Sequence, residues 1–328
     1  MNFSATHAME LDEFAKISFF LRQYFLPSTI IFGMTTNTLT AILFKKFHSK
    51  ESKIAPLLMA IAIVDTIYLF CLFLTWIESL SVDIYEAPGL CQIQVFCSHY
   101  FAFLSFWYLA WIVFLIIFSS LAPNKYHSMR SSGMVTLCFV GITIFAFTGY
   151  LYKTWTFGTN EYNGIKMCTI ITGTQSAMKL IYILDAFFMS ICPSAVFVIF
   201  HIMLLLRCVR LPLYSTDTSN NQSITNGTEE YRLVVALTIL YYIFIFPNIV
   251  SQFFNFIGTA YNKKIISLFN IFQQLFTAYF AMKPIVYVFL SSSYRQAFVN
   301  CLKSLCRNLS CQSSKTRVIA VPTDETTV

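Results

Sequence analysis

Seven long apolar stretches occupy most of this 328-residue chain, and they limit its possible folds more than any other feature. They lie near 24–44, 54–77, 93–118, 134–152, 180–206, 233–257 and 265–290. Each is long enough to cross roughly 30 Å of hydrocarbon as an α-helix. Charged residues make up 11% of the chain, against roughly 25% in a soluble domain. With a mean hydropathy of +0.65, lipid rather than water must solvate the outside. The 35 Phe and 18 Tyr suit lipid-facing surfaces and interfacial belts. Pro193, Pro247 and Pro284 fall inside spans, where packed neighbours satisfy the carbonyls that proline frees. The fold class expected is all-α, a seven-transmembrane helix bundle. No hydrophilic block, repeat or low-complexity run marks a second domain.

Basic residues set the orientation. Lys45, Lys46, Lys50 and Lys53 face one Glu51 in the first loop, and Lys125 and Arg130 lie in the next loop on that side. The tail adds Arg295, Lys303, Arg307, Lys315 and Arg317. The opposite side carries Glu78, Asp83 and Glu86, though also Lys263 and Lys264. This balance places the first loop and the tail in the cytoplasm and the N-terminus outside. The net charge of +7 therefore belongs to loops beside a lipid bilayer, and no nucleic acid partner is expected. The first 22 residues include Glu10, Asp12 and Glu13, so the first span is expected to act as its own insertion signal. The division expected is an extracellular N-terminus over 1–23, a membrane domain over 24–290, and an amphipathic helix with a cytoplasmic tail over 291–328. A plasma-membrane heptahelical receptor has this topology. A transporter or channel is not excluded by topology, but beyond Asp65 and Lys283 the spans show no chain of charges to mark an ion path.

Asp65 and Lys283 are the informative pair. Isolated charges inside a bilayer cost several kcal/mol unless paired or wet. Asp65 lies about 11 residues, roughly 16 Å, from the inner end of its span, and Lys283 about 7 residues, roughly 10 Å. A lysine stem covers that difference, so an ion pair tying span seven to span two is one arrangement. The other has Lys283 snorkelling to the inner interface while Asp65 binds water. Ten Cys form no C-x-x-C pair and no ligand cluster with the five His, so no metal or cofactor is expected. Cys71, Cys138 and Cys192 read as small buried hydrophobes. No nucleophile–base arrangement points to an enzyme.

Taken in order along the spans, a set of markers resembles the rhodopsin-like family of G-protein-coupled receptors. Span one has Thr36-Asn37-Thr38-Leu39, and span two Ala62-x-x-Asp65. Cys91 opens span three, Pro193 and Pro247 sit in spans five and six, and Pro284-x-x-Tyr287 ends span seven. Ser291 to Phe298 fits the short cytoplasmic amphipathic helix that follows. The resemblance implies a disulfide between Cys91 and Cys168, with nearby Cys97 as another possible partner. It also implies that Asp65 and Lys283 face one another across a small polar cavity that holds sodium in the family, with Ser105 contributing. We expect the Lys283 ammonium to replace that ion. Pro193, Pro247, Pro284 and Tyr287 take the family's kink and switch positions. The ligand cavity would lie between the outer halves of spans three, five, six and seven, with Gln94, Cys97, Ser98, Phe101, Gln252 and Gln273 as lining candidates.

Departures from the family pattern carry as much information. Leu115-Ile116-Ile117 stands where Asp/Glu-Arg-Tyr is expected, so the arginine that meets the G protein is Ile116. Phe244-Ile245-Phe246-Pro247 replaces Cys-Trp-x-Pro, span four lacks the usual Trp, and Lys283 replaces Asn or Asp. Thr277 occupies the position of the retinal lysine, which disfavours an opsin, and Ser98 in place of an acid disfavours a monoamine ligand. The chain looks closest to invertebrate-type neuropeptide receptors, which implies an extracellular peptide ligand and a heterotrimeric G protein. The alternative, favoured by Ile116, is an atypical heptahelical scavenger or scaffold that couples weakly or not at all.

Peripheral signals complete the reading. Asn2-Phe3-Ser4 is a glycosylation sequon on the outer side, while those at Asn221, Asn226 and Asn308 are expected to face the cytoplasm and stay silent. Cys301, Cys306 and Cys311 follow an amphipathic helix and are palmitoylation candidates, with unmodified thiols as the alternative. Thr326-Thr327-Val328 matches a ligand for a PDZ-domain partner.

Overall fold

In a computed structural model the chain is described at residues 13–45, 54–80, 82, 84–121, 133–162, 165–171, 181, 183–210, 221–256, 263–292, 294–301 and 303. Among these residues, seven helices are long and apolar enough to cross a membrane. They are α1 (Glu13–Leu43), α2 (Ala55–Glu78), α3 (Leu90–Leu121), α4 (Met134–Thr156), α5 (Ile183–Leu206), α6 (Asn221–Phe256) and α7 (Lys263–Leu290). A short α8 covers 294–301. Two helices outrun their apolar cores. α1 starts at Glu13 rather than 24, and α6 starts at Asn221 rather than 233, with its span-forming part at Glu229–Ser251. Backbone hydrogen bonding carries a helix past the hydropathy edge, so hydropathy alone underestimates both.

α3 is the axis of the bundle. The apolar window of α3 is 61% buried, whereas that of α4 is 11% buried, so α4 lies almost wholly against lipid. α2, α4 and α5 pack on α3, while α1 packs on α2 and α7, and α6 on α7. One close approach is at Gly33. A Cβ there would stand 2.6 Å from Leu69 Cδ1 and 2.7 Å from Ala281 Cβ, so α1, α2 and α7 meet where only glycine fits.

The prolines organise the helices locally. Pro27 follows a π-helical turn at Leu21–Phe25, and Pro193 follows one at Phe187–Ile191, at the same spacing. Proline lacks the N–H of the normal i→i−4 bond, and the wider turn absorbs the mismatch. Pro284 lies within continuous α7. It cannot donate to the carbonyl of Phe280, and Asn37 Nδ2 of α1 donates to that carbonyl instead at 2.9 Å.

The helices form the expected all-α seven-span bundle, and a two-stranded β-hairpin lies outside it. Strands β1 (Phe157–Tyr162) and β2 (Ile165–Ile170) pair antiparallel, with Thr159 opposite Cys168. The dipeptide Asn163-Gly164 between them is a strong hairpin signal in the sequence. Cys168 is bonded to Cys91 at the head of α3, with a Cα–Cα distance of 5.5 Å, which staples the hairpin over that end of the bundle. Tyr85, in the turn before α3, is buried there, and burial followed by the Glu78 charge pushes its phenol up to about 12. At the opposite end, the Tyr294 hydroxyl of α8 meets Thr40 Oγ1 of α1 at 2.8 Å, and its ring packs on Phe44 and Tyr287.

Gly33→Leu is expected to cost about 1–3 kcal/mol or more through overpacking. Gly141→Leu, whose Cβ meets nothing within 4 Å, should leave stability unchanged. Thermal unfolding of the two purified variants checks the contrast.

Candidate functional site

Lys283 Nζ sits in the centre of the bundle, 2.8 Å from Asp65 Oδ2, 3.1 Å from Asp65 Oδ1 and 2.5 Å from Ser105 Oγ. Ser105 Oγ in turn donates to Asp65 Oδ1 at 2.6 Å. All three ammonium hydrogens therefore have an acceptor. The face of Tyr279 lies 4.3 Å from Nζ and that of Phe280 5.1 Å, adding cation–π attraction. Asp65 is 0% and Lys283 1% exposed. Lys283 does not snorkel to an interface. Its head turns inward because α2 presents Ile61, Ala62, Asp65 and Leu69, at i, i+3 and i+4 spacing, on one buried face. The cluster joins α2, α3 and α7 as a neutral unit.

An aromatic layer adjoins it. Phe106 of α3 touches Tyr241 of α6 and Phe276, Tyr279 and Phe280 of α7, with ring centroids 5.4–5.8 Å apart. The Tyr241 hydroxyl donates to the Ser190 carbonyl in the π-helical turn of α5 at 2.9 Å. Ile245, two residues before Pro247, is fully buried in the core. Tyr287, one turn beyond Lys283, is buried with its ring edge-on to Phe44.

At the α8 end, Leu115 is buried and Ile116 and Ile117 pack against the core, so α3 supplies no charge there. Glu229 of α6 supplies one instead. Its Oε1 accepts from Ser291 Oγ at 2.6 Å and its Oε2 from Ser292 Oγ at 2.7 Å. Ser291 Oγ also accepts the Tyr294 amide at 3.1 Å, capping α8. One carboxylate thus clasps α6 to the α7–α8 corner. The sequence reading missed this contact, although an acid at the head of span six and the run Ser291-Ser292-Ser293 were both in view.

A second buried ion pair adds to Asp65–Lys283, and sequence analysis did not single it out. Lys153 Nζ of α4 lies 3.1 Å from Asp185 Oδ2 of α5, with side chains 0% and 10% exposed. The Tyr150 hydroxyl donates to Asp185 Oδ1 at 2.6 Å. Asp185 could have been found as the one acid in span five, 180–206. Lys153 fell just past the expected end of span four at 152, whereas α4 runs to Thr156.

Five of the six cavity candidates have side chains among the described residues. Gln94 is buried against α2, donating to the Cys71 carbonyl at 3.1 Å and to Thr75 Oγ1 at 2.5 Å, so its amide serves helix packing. Ser98 Oγ donates to the Val95 carbonyl of its own helix at 3.0 Å. Cys97 is a free, half-buried thiol beside Cys71, and Phe101 is half-buried. Gln273 is exposed, and the Gln252 side chain lies outside the described residues. None of the five described candidates lines a cavity of about 290 Å³ that opens between α3, α4 and α5. Cys71 is buried, but Cys138 and Cys192 are half-buried because α4 and α5 face lipid. Cys301 is half-buried on α8. Asn2, Cys306, Cys311, Asn308 and Thr326-Thr327-Val328 lie outside the described residues, as do the side chains of Asn221 and Asn226.

A family model described as "Serpentine type 7TM GPCR chemoreceptor Srw" matches residues 25–304, from α1 through α8. No curated protein sequence matches the chain significantly. The family match carries a G-protein-coupled receptor fold in a multi-pass membrane protein, and it does not extend to the rhodopsin-like neuropeptide type. The chain belongs to the Srw family of serpentine seven-transmembrane chemoreceptors.

Proposed function

We propose that this protein is a plasma-membrane receptor that binds an extracellular ligand at its disulfide end and engages a heterotrimeric G protein at its α8 end. The observation that carries this reading is the Glu229 clasp. The bundle's centre is held by a fully buried ion pair, whereas at the α8 end two hydroxyl–carboxylate bonds join Glu229 to the α7–α8 corner. Such a contact can open while the centre holds, and a ligand that binds the open form better shifts the population toward it. Ile116 removes the usual arginine, and Glu229 takes over its resting-state role by pairing with α7–α8 rather than with α3. In this orientation residues 1–23 face outside and 291–328 face the cytoplasm. There, Cys301 and its neighbours would accept palmitate and the terminal Thr326-Thr327-Val328 would reach a PDZ domain.

A peptide ligand is a second reading, favoured by the β1–β2 ribbon. Among the described residues it is two-stranded, and its edges offer main-chain groups to an extended peptide. A scavenger or scaffold without coupling is the alternative from a different class.

G-protein activation across a panel of Gα subtypes, with small-molecule and peptide libraries on cells of confirmed surface expression, separates these readings. A ligand-dependent signal is expected, and silence across the panel favours the scavenger. Glu229→Ala removes hydrogen bonds to a charged group worth about 1.5–3 kcal/mol each. It is expected to raise ligand-free signalling by about tenfold or more at 1.4 kcal/mol per tenfold. Basal activity equal to wild type at equal surface level contradicts the clasp. Because the Lys283 ammonium fills the polar pocket, replacing sodium with choline should leave ligand affinity and melting temperature unchanged. A sodium-dependent shift in either counts against that assignment.

A further inference from the structure

α4 and α5 both pack on α3, and the cavity of about 290 Å³ opens between them toward the lipid face. Phe103 of α3 forms its floor, Phe145 and Gly149 of α4 one wall, and Leu184 and Phe188 of α5 the other. Phe145 is 56% and Leu184 47% exposed, so the rim meets the bilayer. Phe188 belongs to the π-helical turn, and its carbonyl accepts from Trp107 Nε1 at 3.0 Å, which fixes the rim. π-turns of this kind frequently mark functional sites. The inner pole of the cavity is polar: Tyr150 and Asp185 line it, with Lys153 fully buried behind them.

We infer that this cavity is a binding site for a small neutral amphiphile, with an apolar body and one hydrogen-bond donor, that enters from the bilayer. Size follows from volume. At the ~30 Å³ that a water occupies in the liquid, the space holds a molecule of roughly ten heavy atoms. Chemistry follows from the pole. A carboxylate has about four acceptor sites, and Tyr150 and Lys153 take one on each oxygen of Asp185. Acceptor capacity therefore remains on Asp185, which lines the cavity. The ligand must be neutral because Lys153 already balances Asp185. An added cation would stand unpaired at low dielectric, and an added carboxylate would meet Asp185. Apolar aromatic walls with one convergent polar group are the usual make-up of a small-molecule site. An ionisable group kept inside a membrane span points to function in the same way. The site requires the fold alone, so it stands or falls separately from G-protein coupling.

Gly149 supplies the test. Gly149 lines the cavity and a Cβ there meets nothing within 4 Å, so Gly149→Phe adds bulk at the cavity wall without displacing the backbone. Gly141→Phe, on the same helix and equally open, is the control. The purified full-length receptor in lipid nanodiscs is photolabelled with a diazirine analogue of 1-octanol, and labelled peptides are mapped by mass spectrometry. Saturable labelling around Phe145–Tyr150 and Leu184–Phe188 is expected, lost in Gly149→Phe and kept in Gly141→Phe, with both variants melting as wild type. 1-Octanol should protect at concentrations at least tenfold lower than octyl methyl ether, which has the same body and no donor. Unsaturable labelling, or labelling untouched by Gly149→Phe, means partition of acyl chains only and overturns the site. Equal protection by alcohol and ether overturns the hydrogen bond to Asp185.

Discussion

The ion pair between Lys283 and Asp65 is the contact on which the bundle depends. Both charges are out of water in the middle of a membrane, where desolvation costs several kcal/mol per ion unless every hydrogen and lone pair is used. The cluster meets that demand with Ser105 and the face of Tyr279 as well as with the pair itself. One residue later Pro284 opens a second demand, the freed carbonyl of Phe280, and Asn37 of α1 answers it. Four helices, α1, α2, α3 and α7, are thus joined within one turn of α7. The close seat of Gly33 against Leu69 and Ala281 follows from the same convergence, since the helices bearing these polar groups must approach that near.

Around this fixed centre the two ends differ in how they are held. The disulfide end is stapled covalently: the Cys91–Cys168 bond ties the hairpin to the axis helix α3. The α8 end is held by hydrogen bonds, Glu229 to the α7–α8 corner and Tyr294 to Thr40. α4 stands apart from both arrangements, lipid-facing along most of its length and anchored to α5 through Lys153 and Asp185. The centre is thus held by a buried ion pair, one end by a disulfide and the other by hydrogen bonds. Packed cores switch between discrete arrangements rather than deforming continuously.

The spans were legible because hydropathy is set by the solvent, and lipid admits no long polar stretch. The central pair was legible for the same reason: a lone Asp and a lone Lys in apolar runs have few other ways to be satisfied. Gln94 shows where that logic stops. Its depth in span three could be counted, but the rotation that turns it toward Cys71 and Thr75 is fixed by packing. Lys153 was lost to a one-residue boundary, and with it the partner of Asp185. Glu229 meets serines 62 and 63 residues away, a pairing that no local pattern encodes. The hairpin is legible in Asn163-Gly164, a dipeptide that favours a two-residue turn.

A double-mutant cycle on Asp65→Asn and Lys283→Met, read as equilibrium unfolding of the purified receptor, tests the central claim. Each single substitution strands a buried charged group and is expected to cost about 3–5 kcal/mol. The double variant should lose far less than their sum, giving a coupling energy above about 2 kcal/mol. Losses that add within about 0.5 kcal/mol would show the two residues to be energetically independent. The ion pair would then not be what holds the centre of the bundle.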